Sequence, residues 1–323
     1  MAMVSGTRNM RRVEYNAYGD SSVLRLQEVS VPSPGRGEIL IRVHAAALNP
    51  KDVLVRLGKF SLLAGRRFPK RVGSDWAGVV AEVGAGVDGI RPGDALFGMI
   101  QSWGAAGTCA EYVTARAAEC APKPEGLSFE EAAAVPLAAL TALQALRDVA
   151  RVQAGSRVLL NGAAGGVGVF AIQLARALGG HVTTTSSAGN LALCRDLGAH
   201  VALDYAAQDV LARGEPYDVI FDIFGNRRFA DARRALTLRG TFVATVPHRH
   251  VLLAVALTLL ARQRARLVVV RSRAADLRVL GHHVAAGRLR PVIDRVYPLA
   301  EVAAAQDHLA TRHARGKVVI QVV

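Results

Sequence analysis

The sequence predicts an α/β protein of two domains, a six-stranded parallel sheet with its helices inserted into a mostly β domain. Three observations carry this. Residues 10 to 136 alternate apolar and polar side chains in short runs broken by Gly and Pro, as in Glu38-Ile-Leu-Ile-Arg-Val43 and Gly78-Val-Val-Ala-Glu-Val83, the pattern of half-buried strands. From 137 to 292, short apolar runs alternate with longer helical patterns, as in successive βαβ units. Between the first such strand and the first such helix stands a glycine-rich turn, Asn161-Gly-Ala-Ala-Gly-Gly-Val-Gly168.

The six strands are expected at Arg157–Leu160, His181–Thr185, His200–Leu203, Tyr217–Phe221, Thr241–Val246 and Arg266–Val270. Residues 248 to 266 read as an apolar helix bounded by basic residues. Residues 293 to 323 hold a helix, Leu299–Thr311, and a terminal strand, Lys317–Val322, that complete the first domain. Residues 1 to 9 fit neither pattern and are expected to be mobile.

With 51% apolar and 20% charged residues the chain is not disordered. Its longest nearly unbroken apolar stretch, Val251 to Ala261, is shorter than the roughly 18–20 residues of a membrane span, and no secretory signal opens the sequence. A cytoplasmic protein is expected. Three scattered cysteines (Cys109, Cys120, Cys194) form neither a disulfide framework nor a metal pattern, and His248, His250, His282 and His283 have no carboxylate or Cys patterned with them. No metal site is expected. The net charge is +14, and residues 227 to 295 carry fifteen Arg against three acids. Such a segment is either solvated surface or the meeting place of an acidic partner.

The glycine turn has its own chemistry. Residues Ala164, Gly165, Gly166, Val167 and Gly168 bring backbone amides at a helix start close to an anion, which the macrodipole also favours, so a dinucleotide pyrophosphate is the expected ligand. The first glycine of the usual G-x-G-x-x-G is replaced by Ala163. At the end of the second strand, where an acid holds the adenosine ribose in NAD-binding domains, the chain reads Thr183-Thr-Thr-Ser-Ser-Ala-Gly-Asn190. With no carboxylate there, Ser186, Ser187 and Asn190 are free to donate to a 2′-phosphate, and NADPH is favoured over NADH.

From Met10 onward the chain resembles the medium-chain dehydrogenase/reductase superfamily, in its zinc-free quinone oxidoreductase (zeta-crystallin-like) branch. The resemblance rests on Gly73-Ser-Asp-Trp-Ala-Gly-Val-Val-Ala-Glu-Val-Gly84, Val87 and Gly93-Asp94 in the first domain, on the Asn161–Gly168 turn in the second, and on Arg290-Pro-Val-Ile-Asp-Arg295 and Arg315-Gly-Lys317 in the tail. It implies a GroES-like catalytic domain (10–136, completed by 293–323) and a Rossmann domain (137–292). At the three catalytic zinc-ligand positions of the superfamily's alcohol dehydrogenases stand Asn49, Ser74 and Leu137, so no zinc is implied.

The resemblance further implies that Asn49 orients cofactor or substrate, that Thr141 touches the nicotinamide, and that Tyr205 and Lys317 lie near the cofactor. Lys51 is a candidate hydrogen-bond donor to the substrate, and Leu54 and Phe60 take the places of two pocket tyrosines. The expected activity is hydride transfer from NADPH to a conjugated acceptor: a quinone, an enone or an enoyl C=C, the last offered by an acidic carrier protein. A homodimer paired along the last strand of the parallel sheet is expected. The rival readings are a non-catalytic NADPH-binding protein that associates with nucleic acid, and a zinc-independent alcohol dehydrogenase.

Overall fold

The computed structural model describes residues 8–65, 67–102, 107–212, 214 and 216–323. Residues 1–7, part of the stretch expected to be mobile, lie outside these, but Arg8 reaches the Tyr112 hydroxyl and the first strand already begins at Asn9. The described chain divides into two compact units.

The first unit contains β1 (Asn9–Tyr15), β2 (Arg25–Ser30), β3 (Glu38–Leu48), α1 (Pro50–Arg56), α2 (Ser61–Ala64), β4 (Lys70–Arg71), β5 (Asp75–Val83), β6 (Ala95–Met99), β7 (Tyr112–Arg116), β8 (Cys120–Pro122) and α3 (Phe129–Ala133). A three-stranded sheet has the order β2-β1-β4. The long strand β3 is the spine of the larger sheet, paired antiparallel with β5 and β7, because its alternating Ile39, Ile41 and Val43 bury one face completely. With Trp76, Val80, Leu96 and Ile320 they form the core of this unit.

Strand β3 bulges at His44, where the register with β5 shifts between Val43 and Ala45. Gly78 faces this bulge, and a Cβ there would stand 2.2 Å from the Arg42 carbonyl oxygen. The His44 carbonyl in turn accepts the Val322 N–H at 2.9 Å, docking the end of the chain.

The second unit holds β9 (Arg157–Asn161), α5 (Gly166–Ala177), β10 (His181–Ser186), α6 (Leu191–Asp196), β11 (Val201–Asp204), β12 (Tyr217–Asp222), α7 (Phe229–Ala232), β13 (Leu236–Ala244), α8 (Arg249–Leu257) and β14 (Arg264–Leu267), with most of α4 (Pro136–Leu143). Its six strands are parallel in the order β11-β10-β9-β12-β13-β14. The order reverses between β9 and β12, which opens a crevice at their C-terminal ends.

Three elements differ from the sequence reading. Strand β13 starts at Leu236 instead of Thr241, because Leu236 pairs with Tyr217 before the strand bulges. Strand β14 is Arg264–Leu267 instead of Arg266–Val270: the small Ala265 fills the buried position opposite Phe242, whereas Val269 is exposed. The helix read over 248–266 ends at Leu257, where the Thr258 hydroxyl bonds back to the Ala254 carbonyl and accepts the Ala265 N–H instead of extending the helix.

After β14 the chain returns to the first unit as α9 (Ala274–Ala285), β15 (Ile293–Pro298), α10 (Val302–Ala310) and β16 (Lys317–Gln321). Helix α9 buries Leu277 and Leu280 and packs against β8, so Arg271–Ala285 group with the first unit, Ala286–Arg290 with the second, and the chain from Pro291 onward with the first again. Strand β16 runs antiparallel to β3 and parallel to β15. Among the described residues no helix is long and apolar enough to cross a membrane.

The Gly78 contact makes a test of the β3 bulge. Gly78→Val is expected to cost about 1–3 kcal/mol, as overpacking against an unyielding backbone does, measured by urea unfolding with Gly281→Val, whose Cβ would meet only the Pro124 side chain at 3.8 Å, as the comparison.

Candidate active site

Strand register assembles the first half of the site. Val318 of β16 pairs with Leu48 of β3, which sets Lys317 level with Asn49, and Asp75 opens β5 opposite Ala47. The three side chains therefore meet at one corner of the sheet, all nearly or fully buried. Lys317 Nζ donates to Asn49 Oδ1 (2.6 Å), to the Leu48 carbonyl (3.0 Å) and to Asp75 Oδ2 (3.2 Å). Asp75 Oδ2 also accepts from Asn49 Nδ2 (2.9 Å), and its Oδ1 accepts the Leu137 N–H (2.8 Å). Asp75 was not singled out from the sequence.

Lys317 was expected near the cofactor. All three of its ammonium donors are taken by acceptors within the first unit, because the terminal strand inserts beside β3 and carries Lys317 inward. The Asn49 amide is likewise held on both sides, and its backbone N–H bonds to Asp52 Oδ2 at the start of α1 (2.8 Å). Its local role is to fix where α1 leaves the sheet.

Helix α1 then aims Lys51 across a small cleft whose lining includes Tyr15, Asp52, Arg71, Ser74 and Ser102. Lys51 Nζ donates to Ser74 Oγ (2.8 Å) and to the Ser102 carbonyl (3.0 Å), which leaves one N–H without an acceptor among the described residues. Burial raises the Asp52 carboxyl above the usual range, against the pull of Lys51 and of the Asn49 N–H. Leu54 and Phe60 are half-buried on α1 and at the start of α2, and neither lines this cleft. The cysteines are not reactive thiolates: burial raises all three thiols, Cys120 to about 12.

The second half lies in the parallel sheet. Strand β9 ends in Asn161, and Gly162 turns the chain with φ +87°. The glycine that takes the turn's positive φ is therefore Gly162, one residue before Ala163. Gly165 caps α5, and a Cβ on it would meet nothing closer than the Gly162 carbonyl at 3.7 Å, so only a hydrogen stands between the backbone and the open crevice. Gly168 has the opposite surroundings: a Cβ there would lie 2.4 Å from the Ala163 carbonyl, so its absence lets the helix close on the turn. The first bond of the helix is Val169 N–H to the Gly165 carbonyl (3.0 Å), and the amides of Gly166, Val167 and Gly168 have no helical acceptor.

A buried network missed in the sequence holds this turn. Asn161 Nδ2 donates to Asp222 Oδ1 (2.7 Å) and Asn226 Oδ1 (2.8 Å), and Asn161 Oδ1 accepts from Thr185 (2.8 Å). Asp222 also accepts the N–H groups of Gly225 (3.0 Å) and Arg227 (2.9 Å), pinning the loop after β12 beside the turn.

At the end of β10, Ser186 is buried, and Asn190 Nδ2 donates to Ser187 Oγ (3.1 Å), which leaves the Ser187 O–H free to donate. Asn190 Oδ1 is buried without a donor. The Tyr205 N–H bonds to the Ser186 carbonyl (3.2 Å), keeping residue 205 beside this loop with its ring exposed. Thr141 is buried on α4.

The alcohol dehydrogenase GroES-like domain model matches residues 35–125, and the zinc-binding dehydrogenase model matches residues 197–320. A 2-methylene-furan-3-one reductase of Solanum lycopersicum is 36% identical over 98% of this chain and 80% of its own length. The chloroplastic NADPH-dependent alkenal/one oxidoreductase of Arabidopsis thaliana is 34% identical over 97% of this chain and 80% of its own. The structure of a quinone oxidoreductase from Coxiella burnetii superposes with a TM-score of 0.90 at 34% identity, covering 98% of this chain and 100% of that one. The chain belongs to the medium-chain dehydrogenase/reductase superfamily, among its quinone oxidoreductases.

The family implies a dinucleotide, and the second unit fits one. The open face of Gly165 and the unpaired amides of α5 suit a pyrophosphate, and the orphaned Asn190 oxygen calls for the kind of hydroxyl donor that a ribose carries. The zinc-ligand positions of this superfamily bear Asn49, Ser74 and Leu137. Among the described residues no three His, Cys, Asp or Glu side chains are grouped as a metal site requires.

Lys317→Met is expected to lose about 3–5 kcal/mol of stability, since it leaves Asp75 buried and uncompensated, measured by chemical unfolding. A selective rise in the KM for cofactor without loss of stability would instead assign Lys317 a direct cofactor role.

Proposed function

We propose that this protein is a zinc-independent, NADPH-dependent reductase of conjugated carbonyl compounds, enones or quinones, with Lys51 as the electrophilic group. The observation that carries the proposal is the Lys51 ammonium, held by Ser74 and the Ser102 carbonyl with one N–H left over. Two of the three zinc-ligand positions, Asn49 and Ser74, belong to the same corner, and the third, Leu137, joins it through its backbone N–H on Asp75.

NADPH, when bound, supplies a hydride to the β carbon of the acceptor. As negative charge moves to the acceptor's carbonyl oxygen, the third N–H of Lys51 stabilises it, and Ser74 and Ser102 keep the ammonium from wandering. Asn49 acts indirectly, through the Asp52 contact that fixes the start of α1. Water delivers the proton to the α carbon of an enone; with a quinone the same hydride and proton give a keto tautomer, which enolises to the hydroquinone by moving its carbon-bound proton to oxygen through water. A neutral enone is already polarised and needs only this single charge, whereas ionising an alcohol requires a stronger Lewis acid.

For the cofactor, the free Ser187 hydroxyl and the lack of a carboxylate at the end of β10 support the 2′-phosphorylated form. The unpaired edge of β14 supports a two-fold dimer, to be read by sedimentation. The Arg-rich 227–295 segment supports an enoyl substrate carried on an acidic protein, and a turnover rate with such a substrate that ignores ionic strength would remove that refinement.

NADPH oxidation followed against enones, quinones, aldehydes and simple alcohols is the direct test. Turnover is expected with enones or quinones and not with alcohols. Lys51→Met is expected to lower kcat by about 10²–10³-fold, the loss seen when one oxyanion donor is removed, with little change in stability because Lys51 is only partly buried. An unchanged kcat would remove Lys51 from the chemistry. Ser187→Asp is expected to raise the KM for NADPH at least tenfold and to leave that for NADH near its starting value; an equal rise in both would mean that Ser187 does not face the phosphate.

A further inference from the structure

Beside the parallel sheet, and made entirely of the second unit, lies a groove of about 660 Å³, within the size range of small-molecule sites. One wall is α7 and the turn after it, the other is α8. Gln263 Nε2 closes one end by reaching the carbonyls of Arg233 (2.9 Å), Leu236 (3.1 Å) and Thr237 (3.2 Å), and Phe229 is seated edge-on against Phe242 in the core beneath. The walls are thus fixed by bonds and packing of their own, without a ligand.

The floor and sides are apolar, with Phe229, Leu238, Leu253 and Leu257 lining the groove. Three of these are strongly exposed: Leu238 (76%), Leu253 (60%) and Leu257 (73%). A contiguous apolar patch of this kind marks a binding surface. Three guanidinium groups, Arg228, Arg233 and Arg262, line the same groove, and no carboxylate does. None of the three has an ion-pair partner among the described residues, whereas the neighbouring Arg234 is answered by Asp209 at 3.8 Å. An apolar trough with unanswered positive charge complements a molecule that is apolar along its length and anionic at one end.

We propose that this groove binds an amphipathic carboxylate, a medium- or long-chain acyl anion, with its chain along Leu253 and Leu257 and its carboxylate among Arg228, Arg233 and Arg262. The apolar body supplies most of the affinity and the arginines select the charged head. The groove shares no lining residue with the Lys51 cleft or with the Gly162–Gly168 turn, so its proposed ligand does not depend on the reaction proposed above.

The test uses dodecanoate, below its micelle concentration, titrated calorimetrically into the full chain saturated with NADPH. One molecule per chain is expected, with dodecanol and hexanoate each binding at least tenfold more weakly. The double variant Arg233→Ala/Arg262→Ala is expected to weaken dodecanoate tenfold or more, and Leu257→Glu to abolish binding, both with unchanged thermal unfolding. Equal binding of dodecanoate and dodecanol, an unaffected double variant, or uptake that never saturates would overturn the proposal, as would competition by the reductase's own acceptors. A dimer in sedimentation that Leu257→Glu breaks, with no dodecanoate bound by the wild type, would assign the groove to a second copy of this chain instead.

Discussion

The first unit depends on one buried ion pair. Removing a carboxylate and an ammonium from water costs several kcal/mol for each, and their mutual attraction offsets this only if every remaining donor and acceptor is satisfied. The Asp75–Lys317 pair meets that condition, with Leu137, Asn49 and the Leu48 carbonyl completing the shell. Because these groups come from the end of β3, the start of β5, the start of β16 and the start of α4, the pair acts as a latch among segments that are far apart in the chain. The entry direction of α1, and with it the position of Lys51, follows from that latch.

This has a consequence for how the superfamily's chemistry is adapted here. The corner that carries Asn49, Ser74 and the Leu137 N–H concentrates fixed charge. Two lysines and two aspartates, Lys51, Lys317, Asp52 and Asp75, are arranged so that one pair is sealed inside and the other borders the cleft. The inner pair is balanced and inert. In the outer pair only Lys51 has a donor to spare, and Asp52 is already engaged by the Asn49 N–H. The asymmetry leaves the Lys51 ammonium with a donor to spare beside Arg71, which lines the same cleft, and this positive edge suits an acceptor that develops negative charge.

The parallel sheet was legible in the sequence because each of its strands is a local apolar run and its ligand-facing turn is a local glycine pattern. Asn49 stood out in the sequence through its neighbours Leu48, Pro50 and Asp52. Its partners did not, since Asp75 and Lys317 lie 26 and 268 residues away and only the register of β3 with β5 and β16 brings them near. A basic residue close to a C-terminus reads as surface, and nothing local in Arg-Gly-Lys317 signals that its strand inserts into a core. The allegiance of α9 was hidden for the same reason: its apolar residues specify that one face is buried, but not against which unit. Gly162 was overlooked because the expected glycine spacing was imposed on the turn, whereas its φ of +87° marks where the chain needs the missing Cβ.

The second unit presents positive charge in two different physical forms. At the glycine turn the positive end is made of backbone amides in a rigid helix start, braced from beneath by Asn161 and Asp222, which suits an anion held at a fixed place and orientation. In the α7–α8 groove the positive charge sits on exposed, flexible guanidinium groups that mobile ions screen, and orientation there comes from the apolar walls. Hydride transfer tolerates little displacement of the reacting atoms. The rigid end is therefore the one suited to hold the reactive partner, and the flexible one is suited to binding that needs selectivity for a class of molecule without atomic registration.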